Sequence, residues 1–479
     1  MRDKIFLDTV HGSIHIPNSY CKLIIDTLLF QRLRRVEQSS IRSLYPCARH
    51  DRFIHSIGVF HIGSMLIERL EYNMENMDSE LFKELKYSEY WKKVTESYKI
   101  ACLLHDIGHT PFSHTFERYF DIDQPSILED KLCEVVVSEE FKQDLEIMSP
   151  AAQHEMVSAY LLASQYNDAV EQLGGDVEQG VRMIIGCNYN DADTLEKQFV
   201  NCLIKVLHGD VDADRLDYAV RDQWAAGFTT SRIHIGRILR SITIIKEKQT
   251  GILTLCFTKN AISQIECLTQ IKDFQNKWVF CHQNIIYDQY ILTKAIEEVA
   301  SIYGKKEAIK QEDALRIIFN FKCFLDPDYQ IENQSLYLLS DDTILQMFRQ
   351  TFNDNDYARE WMSRQYRKRP IWKTPTEYKS LFNSNLGSLS NKKIKDKMQR
   401  LRLEEEKDYT IVEAEDYNKR CSFLPGAVKI LINDALLDFN DIIPPQSNDK
   451  QYKMFYIYLD NSIYDSKKDI VLEELRKIR

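Results

Sequence analysis

The sequence predicts a mainly α protein, with a helical core over residues 1–325 and a smaller mixed α/β region over residues 326–479. Three observations carry this. Apolar residues recur at helical spacing through most of the longer N-terminal part. Strand-like alternation is confined to Ile242–Phe257 and Tyr452–Leu459. Beyond Asp326 the composition shifts, with Tyr357–Lys373 strongly basic and residues 388–407 dominated by Lys, Arg and Glu. With 479 residues, 44% of them hydrophobic, the chain can build a large core.

Residues 3–17 read as extended, turning at Asp8-Thr9-Val10-His11-Gly12. From Tyr20 to Gln38 a helical pattern follows, and its arginines Arg32, Arg34 and Arg35 read as a solvated face. Asp51 is placed to cap a helix reaching about Leu70, on which Arg52 and His55 share a face. Residues 71–97 are charged and read as a variable insertion. The apolar run Tyr98–Leu104 predicts a helix that Gly108 stops. Thr110 then reads as the cap, and Pro111 as the first residue, of a helix with Phe112, Phe116 and Phe120 at spacing four. Residues 121–150 look irregular and partly helical, and a new helix begins near His154 and Glu155. Gly174, Gly175 and Gly180 mark loops, with no phosphate-loop lysine after them. A helix opening at Asp212 sets Asp214, Tyr218 and Asp222 along one side, and further helices run from about Ala261 to Tyr303.

The densest chemistry is His105-Asp106-Ile107-Gly108-His109-Thr110-Pro111-Phe112-Ser113-His114. Neighbouring residues on a helix point about 100° apart, so His105 and Asp106 can share a metal ion only if other helices complete its shell. The bland alternative is a set of satisfied polar residues at a helix junction. Clustered His and Asp need partners when buried, which favours the metal. Arg52 with His55 is a reasonable phosphate and metal pair. Asp222, two turns into its helix, is not explained by the helix dipole that accounts for Asp210 and Asp212.

Net charge is −10, so a polyanionic ligand must meet a local basic pocket, and no strong nucleic-acid signal is present. No apolar run approaches a membrane span, and the N-terminus lacks a signal-peptide core. Eleven scattered cysteines without a C-x-x-C pair suit a reducing, cytoplasmic setting.

The order His55, His105-Asp106, Asp214 resembles the HD-domain phosphohydrolases. The longer motifs Phe30-Gln31-Arg32-Leu33-Arg34, His50-x-Arg52-Phe53-x-His55-Ser56-x-Gly58, His105 to His114 and Asp212-x-Asp214-Arg215-x-Asp217-Tyr218-x-x-Arg221-Asp222 are similar to the deoxynucleoside triphosphate triphosphohydrolases of that superfamily. The resemblance implies a helical HD-domain core, a divalent metal (Mn, Mg, Fe or Zn) on His55, His105, Asp106 and Asp214, and an acid–base group of His109, His114, Glu117, His154 and Glu155. It implies Arg52 and Arg215 at the phosphates, and Gln38, Tyr218 and Asp222 at the deoxyribose. Lys272 and Phe280 stand where the family carries an arginine for the phosphates and a tyrosine against the sugar, which leaves triphosphate affinity and deoxy selectivity open. Lys4, Asp26, Gln31 and Arg34 match a site where activated members bind a guanine nucleotide between subunits. An activated homo-oligomer, tetramer or hexamer, hydrolysing dNTPs for pool control or antiviral depletion is the expectation. The alternatives are a phosphohydrolase of another nucleotide and a nucleotide-sensing partner without turnover.

Overall fold

The computed structural model describes residues 3–77, 79–123, 125–149, 151–228, 233–382, 390–414, 423–444 and 454–478. An antiparallel hairpin opens the chain, Lys4–Asp8 paired with Gly12–Ile16, with the expected turn between them. The Tyr20–Gln38 stretch is not one helix. Short turns, among them Leu28–Gln31 capped by Thr27 and the tight turn Arg32–Arg35, wrap the core in segments.

Six longer helices position the site: α1 (Arg52–Met77), α2 (Glu89–Leu104), α3 (Gln153–Gln165), α4 (Ala213–Ala226), α5 (Ile262–Phe274) and α6 (Gln283–Glu307). Asp51 caps α1 by accepting from Ile54 N–H at 3.0 Å, as expected. α1 lies against both α2 and α4. Small residues permit the approach: a Cβ on Gly63 would sit 2.6 Å from Cys102 Sγ, and one on Gly58 would overlap the Asp217 carboxylate. The charged 71–97 stretch, expected as a variable insertion, is helical. α1 runs on to Met77, Ser79–Lys86 is a helix, and the remainder begins α2, with Trp91, Val94 and Tyr98 buried in the core. Residues 125–147 are more regular than expected, forming helices Pro125–Val135 and Glu139–Ile147. Gly180 lies inside the helix Val177–Ile185, packed on Leu162, while Gly174 ends a helix with φ 84°.

The strands fall into two main sheets. In one, Ile242–Lys246 pairs with Leu253–Thr258, which takes Lys429–Ile432 in parallel and then Ala435–Asp438. The other orders Lys368–Pro370, Phe455–Asp460 and Tyr409–Glu413 antiparallel. Tyr452 and Lys453, the expected start of the last strand, lie outside the described residues. The architecture is thus mainly α with a smaller mixed region toward the C-terminus. That region lends strands to the core sheet, sets the Asp341 and Trp361 side chains against Phe112 and offers the Leu339 carbonyl to Arg32. Among the described residues no helix is long and apolar enough to cross a membrane.

Candidate metal centre and acid–base cluster

α1, the end of α2 and the first turn of α4 bring His55, His105 and Asp214 together. His55 Nε2 lies 2.9 Å from Asp214 Oδ1 and 3.5 Å from Asp106 Oδ2, and His105 Nε2 lies 3.7 and 3.4 Å from oxygens of the same two carboxylates. The other nitrogen of each ring is occupied. His55 Nδ1 meets Asp217 Oδ2 at 2.7 Å, and His105 Nδ1 meets the Cys102 carbonyl at 2.9 Å. Both Nε2 atoms are buried and face these carboxylates. Two oriented imidazole lone pairs facing two carboxylates fit a divalent first-row cation.

The electrostatics agree. Burial alone would lower His55, but Asp214 and Asp217 raise it to about 10, so the pocket demands positive charge. Burial would raise Asp106, but the Arg52 guanidinium and nearby imidazoles hold it well below the usual carboxylate range. Asp217 is itself gripped by Arg221 at 2.7 and 2.9 Å and by His11 at 2.6 Å, and Arg221 holds Asp8 at 2.8 and 2.9 Å. A hairpin and two helices thereby fix one ligand ring.

The second cluster is His109, His114, Glu117 and His154. Glu117 Oε1 lies 2.6 Å from His154 Nδ1 and 3.3 Å from His109 Nδ1, and Oε2 lies 3.0 Å from His114 Nδ1. Gly108 sets this geometry by close approach rather than by a left-handed helix stop. A Cβ there would lie 2.6 Å from Ser158 N and 2.7 Å from the His154 carbonyl. The His109 and His154 rings consequently stack at 3.8 Å and 20°. The four residues bring ligand atoms within 4.8 Å of one another, close enough to hold a metal ion as well as to pass protons. His154 is raised against burial by the Glu117 charge, and His109 is held well below its usual value by burial and by Arg52. His109 Nε2 lies 3.3 Å from Asp106 Oδ1, so the two clusters meet at Asp106. His114 is exposed at the rim.

The segment between the clusters departs from expectation. Thr110 does not cap a helix; its hydroxyl donates to the Ser113 carbonyl at 2.7 Å. Phe112 and Ser113 both take left-handed φ, 54° and 55°, a conformation costing about 1–3 kcal/mol each for such residues, and the following helix, Ser113–Asp123, is a 3-10 helix. Arg32 is not solvated. It is buried and donates to the carbonyls of Leu339 (2.7 Å), Ile107 (2.8 Å) and His109 (3.0 Å).

Among the expected substrate residues, Arg52 is buried and donates to Asp106, to Ser113 Oγ and to the Gln38 carbonyl. Gln38 Oε1 is buried without a partner. Asp222 is held by His50 at 2.6 Å. Tyr218 is half-buried one turn before Asp222 on α4, and Arg215 pairs with Asp210 at 2.8 Å. Lys272 is half-buried on α5, and Phe280 packs against a small cluster containing Ile41, Ala48 and Ala225. Glu155 is not drawn into the Glu117 cluster; it accepts from Ala152 N–H at 2.8 Å and faces His208 at 3.2 Å. Lys4, Asp26, Gln31 and Arg34 do come together on the surface, as a Lys4–Asp26 ion pair at 2.8 Å and an Arg34–Gln31 hydrogen bond at 2.9 Å. His11, His50, Asp217, Arg221 and Asp341 hold the site without having been singled out for it. His50, Asp217 and Arg221 stand inside the motifs quoted for the resemblance, and Asp217 and Arg221 are one turn apart on the same helix.

Residues 52–171 match the family model described as HD domain, so the chain carries an HD domain holding every residue of both clusters except Asp214. An uncharacterized protein of Methanocaldococcus jannaschii is 28% identical over 301 residues, 62% of this chain and 50% of that protein. The Deoxynucleoside triphosphate triphosphohydrolase SAMHD1 homolog of Dictyostelium discoideum is 26% identical over 359 residues, 71% of this chain and 61% of the other. The chain thus spans between half and three fifths of the length of these relatives. A hypothetical protein from Aquifex aeolicus shares the fold with a TM-score of 0.61 at 20% identity, covering 99% of this chain and 100% of its own. A phosphohydrolase from Bacteroides thetaiotaomicron does so at 0.59 and 20%, covering 95% and 99%.

Proposed function

We propose that the protein is a metal-dependent hydrolase of deoxynucleoside triphosphates that releases deoxynucleoside and inorganic triphosphate. The observation that carries the reading is Asp106, whose oxygens border both clusters, so a phosphate between them meets the metal site and the proton donor together. His55, His105, Asp106 and Asp214 would hold a divalent ion, which would supply Lewis-acid charge and acidify water. Water gives up a proton to solvent and adds to the α-phosphorus, the bond to the 5′-oxygen breaks, and His114 gives that oxygen its proton and regains one from solvent. Glu117 holds His114 Nδ1, leaving the opposite nitrogen for the leaving group. Arg52, set on Asp106, offsets phosphate charge at the ligand itself. Tyr218, Asp222 and Gln38 take the deoxyribose, with His50 fixing Asp222. Related proteins named as deoxynucleoside triphosphate triphosphohydrolases in Dictyostelium discoideum and Gallus gallus support the substrate class.

The surface group Lys4, Asp26, Gln31 and Arg34 is proposed to bind an activating nucleotide in a homo-oligomer, tetramer or hexamer. Purified protein is incubated with each dNTP, singly and mixed, and products are resolved by chromatography. Deoxynucleoside and triphosphate are expected in equal amounts; nucleoside monophosphate with pyrophosphate, or no turnover in any mixture, overturns the reading. Asp26→Ala is expected to lose activation by a second nucleotide while keeping its metal, and unchanged rates in every mixture remove the second site.

A further inference from the structure

The left-handed pair Phe112-Ser113 lies between the two clusters, and its geometry is set from outside the HD domain. Asp341, fully buried at the first position of the helix Asp341–Gln350, accepts from Phe112 N–H at 2.7 Å and from Glu37 N–H at 3.0 Å. Trp361 stands edge-on to the Phe112 ring at 5.5 Å. Ser113 Oγ, carried next in the chain, donates to the Gln38 carbonyl at 2.9 Å and accepts from Arg52, whose other nitrogen donates to Asp106. His114 follows directly. One carboxylate from the C-terminal region thus reaches, in three covalent or hydrogen-bonded steps, both the phosphate-facing arginine and the proton donor.

We propose that Asp341 is a positioning residue of the reaction: by holding Phe112 in its left-handed turn it sets Ser113 and Arg52 on one side and His114 on the other. This rests on the reading of the two clusters as one phosphohydrolase site. An isolated left-handed Phe relaxes toward extended or helical backbone unless its neighbours over-determine it, and the two N–H bonds to Asp341 are that determination. Trp361 adds a ring contact from the same region, while Thr110 to Ser113 and Ser40 Oγ to the Phe112 carbonyl lie within the loop or beside it, so the hydrogen bond that ties the backbone of the turn to the C-terminal region is the one to Asp341. A displacement of about 1 Å in a reacting group costs on the order of a hundredfold in rate while leaving distant binding contacts intact.

The test compares full-length wild type, Asp341→Asn and Asp341→Ala. Asn keeps the shape and one acceptor, Ala keeps neither. The expected result is a kcat per bound metal lowered about tenfold in Asn and about a hundredfold in Ala, KM within about threefold, and metal content unchanged. Ring signals of His114 and His154 in NMR spectra shift in Asp341→Asn, while those of His55 stay in place. A merely structural role gives the opposite pattern: kcat per bound metal equal to wild type, with only melting temperature and yield reduced, and this overturns the proposal. If Ala does not fold, the Asn comparison decides alone. If wild type hydrolyses no dNTP, the proposed function falls, whereas the clamp is still judged by the histidine signals: unshifted His114 in Asp341→Asn overturns it.

Discussion

Asp217 sits among two imidazoles and a guanidinium, whereas Asp341, equally buried, faces two backbone N–H groups with Glu37 nearby. Each holds one half of the site. Burial works to raise both carboxyls. For Asp217 the Arg221 charge and the His11 and His55 hydrogen bonds win, and it stays well below the usual carboxylate range. For Asp341 burial wins, the Glu37 charge adds to it, and it is pushed up to about 8. The metal half is therefore built on charge that does not change between mild acid and mild base, while the proton-transfer half hangs from a carboxyl that titrates within that range.

The hardest blow to this division is struck where the halves meet. Asp106→Ala should abolish both metal retention and hydrolysis, as should His105→Ala, since the remaining side chains form too sparse a site. Metal analysis after dialysis checks it, and full activity in metal-depleted His105→Ala protein would refute the metal reading. Next is the proton side alone. His114→Asn should lose two or more orders of magnitude in kcat with its metal retained, roughly what general acid catalysis provides. Loss of metal along with rate would make His114 a ligand and erase the distinction between the halves.

Asp217→Asn probes the metal side by its support. Affinity should drop about 10–100-fold in chelator competition, because His55 loses the anion that orients it and Arg221 loses half its pairing. An unchanged affinity would mean that ring orientation is set elsewhere. The smallest effect separates the two carboxylates by pH. Asp341 has a folded value near 8 against 3.8 unfolded, so its contribution to stability is fully present below about pH 4 and lost as pH rises through 8. Asp217 is shifted the other way, so its contribution is present above its unfolded value of 3.8 and is lost only in strong acid. Resistance of the metal-free protein to urea should thus weaken from pH 5 to 8, and Glu37→Gln should reduce that loss by removing the charge that adds to burial at Asp341. A loss of equal size in Glu37→Gln would show that burial alone sets Asp341.

What could be read in the sequence follows the same line. His55, His105, Asp106 and Asp214 stand in short helical motifs, and the structure brings His55, His105 and Asp214 together with Asp106 beside them because α1, α2 and α4 pack through Gly58, Gly63 and their neighbours. The helical core and late strands were legible from periodicity. The supports were not: Arg221 meets Asp8 from 213 positions away, Arg32 meets Leu339 from 307, and Asp341 meets Phe112 from 229. No local pattern encodes such partners, which is why Arg32 read as solvated. The Phe112-Ser113 turn was read as helix for the same reason, since its left-handed backbone is imposed by Asp341 and not by a glycine.

Arg32 also orders events in time. A chain emerging from the ribosome exposes all four metal-site residues once Asp214 is out, so that half can assemble on the nascent protein. The carbonyls of Ile107 and His109 are available to Arg32 then as well, but that of Leu339, and the carboxylate of Asp341 two residues on, are made more than a hundred codons later. Synthesis of the four metal-site residues therefore precedes synthesis of the C-terminal groups that hold Arg32 and the Phe112 turn.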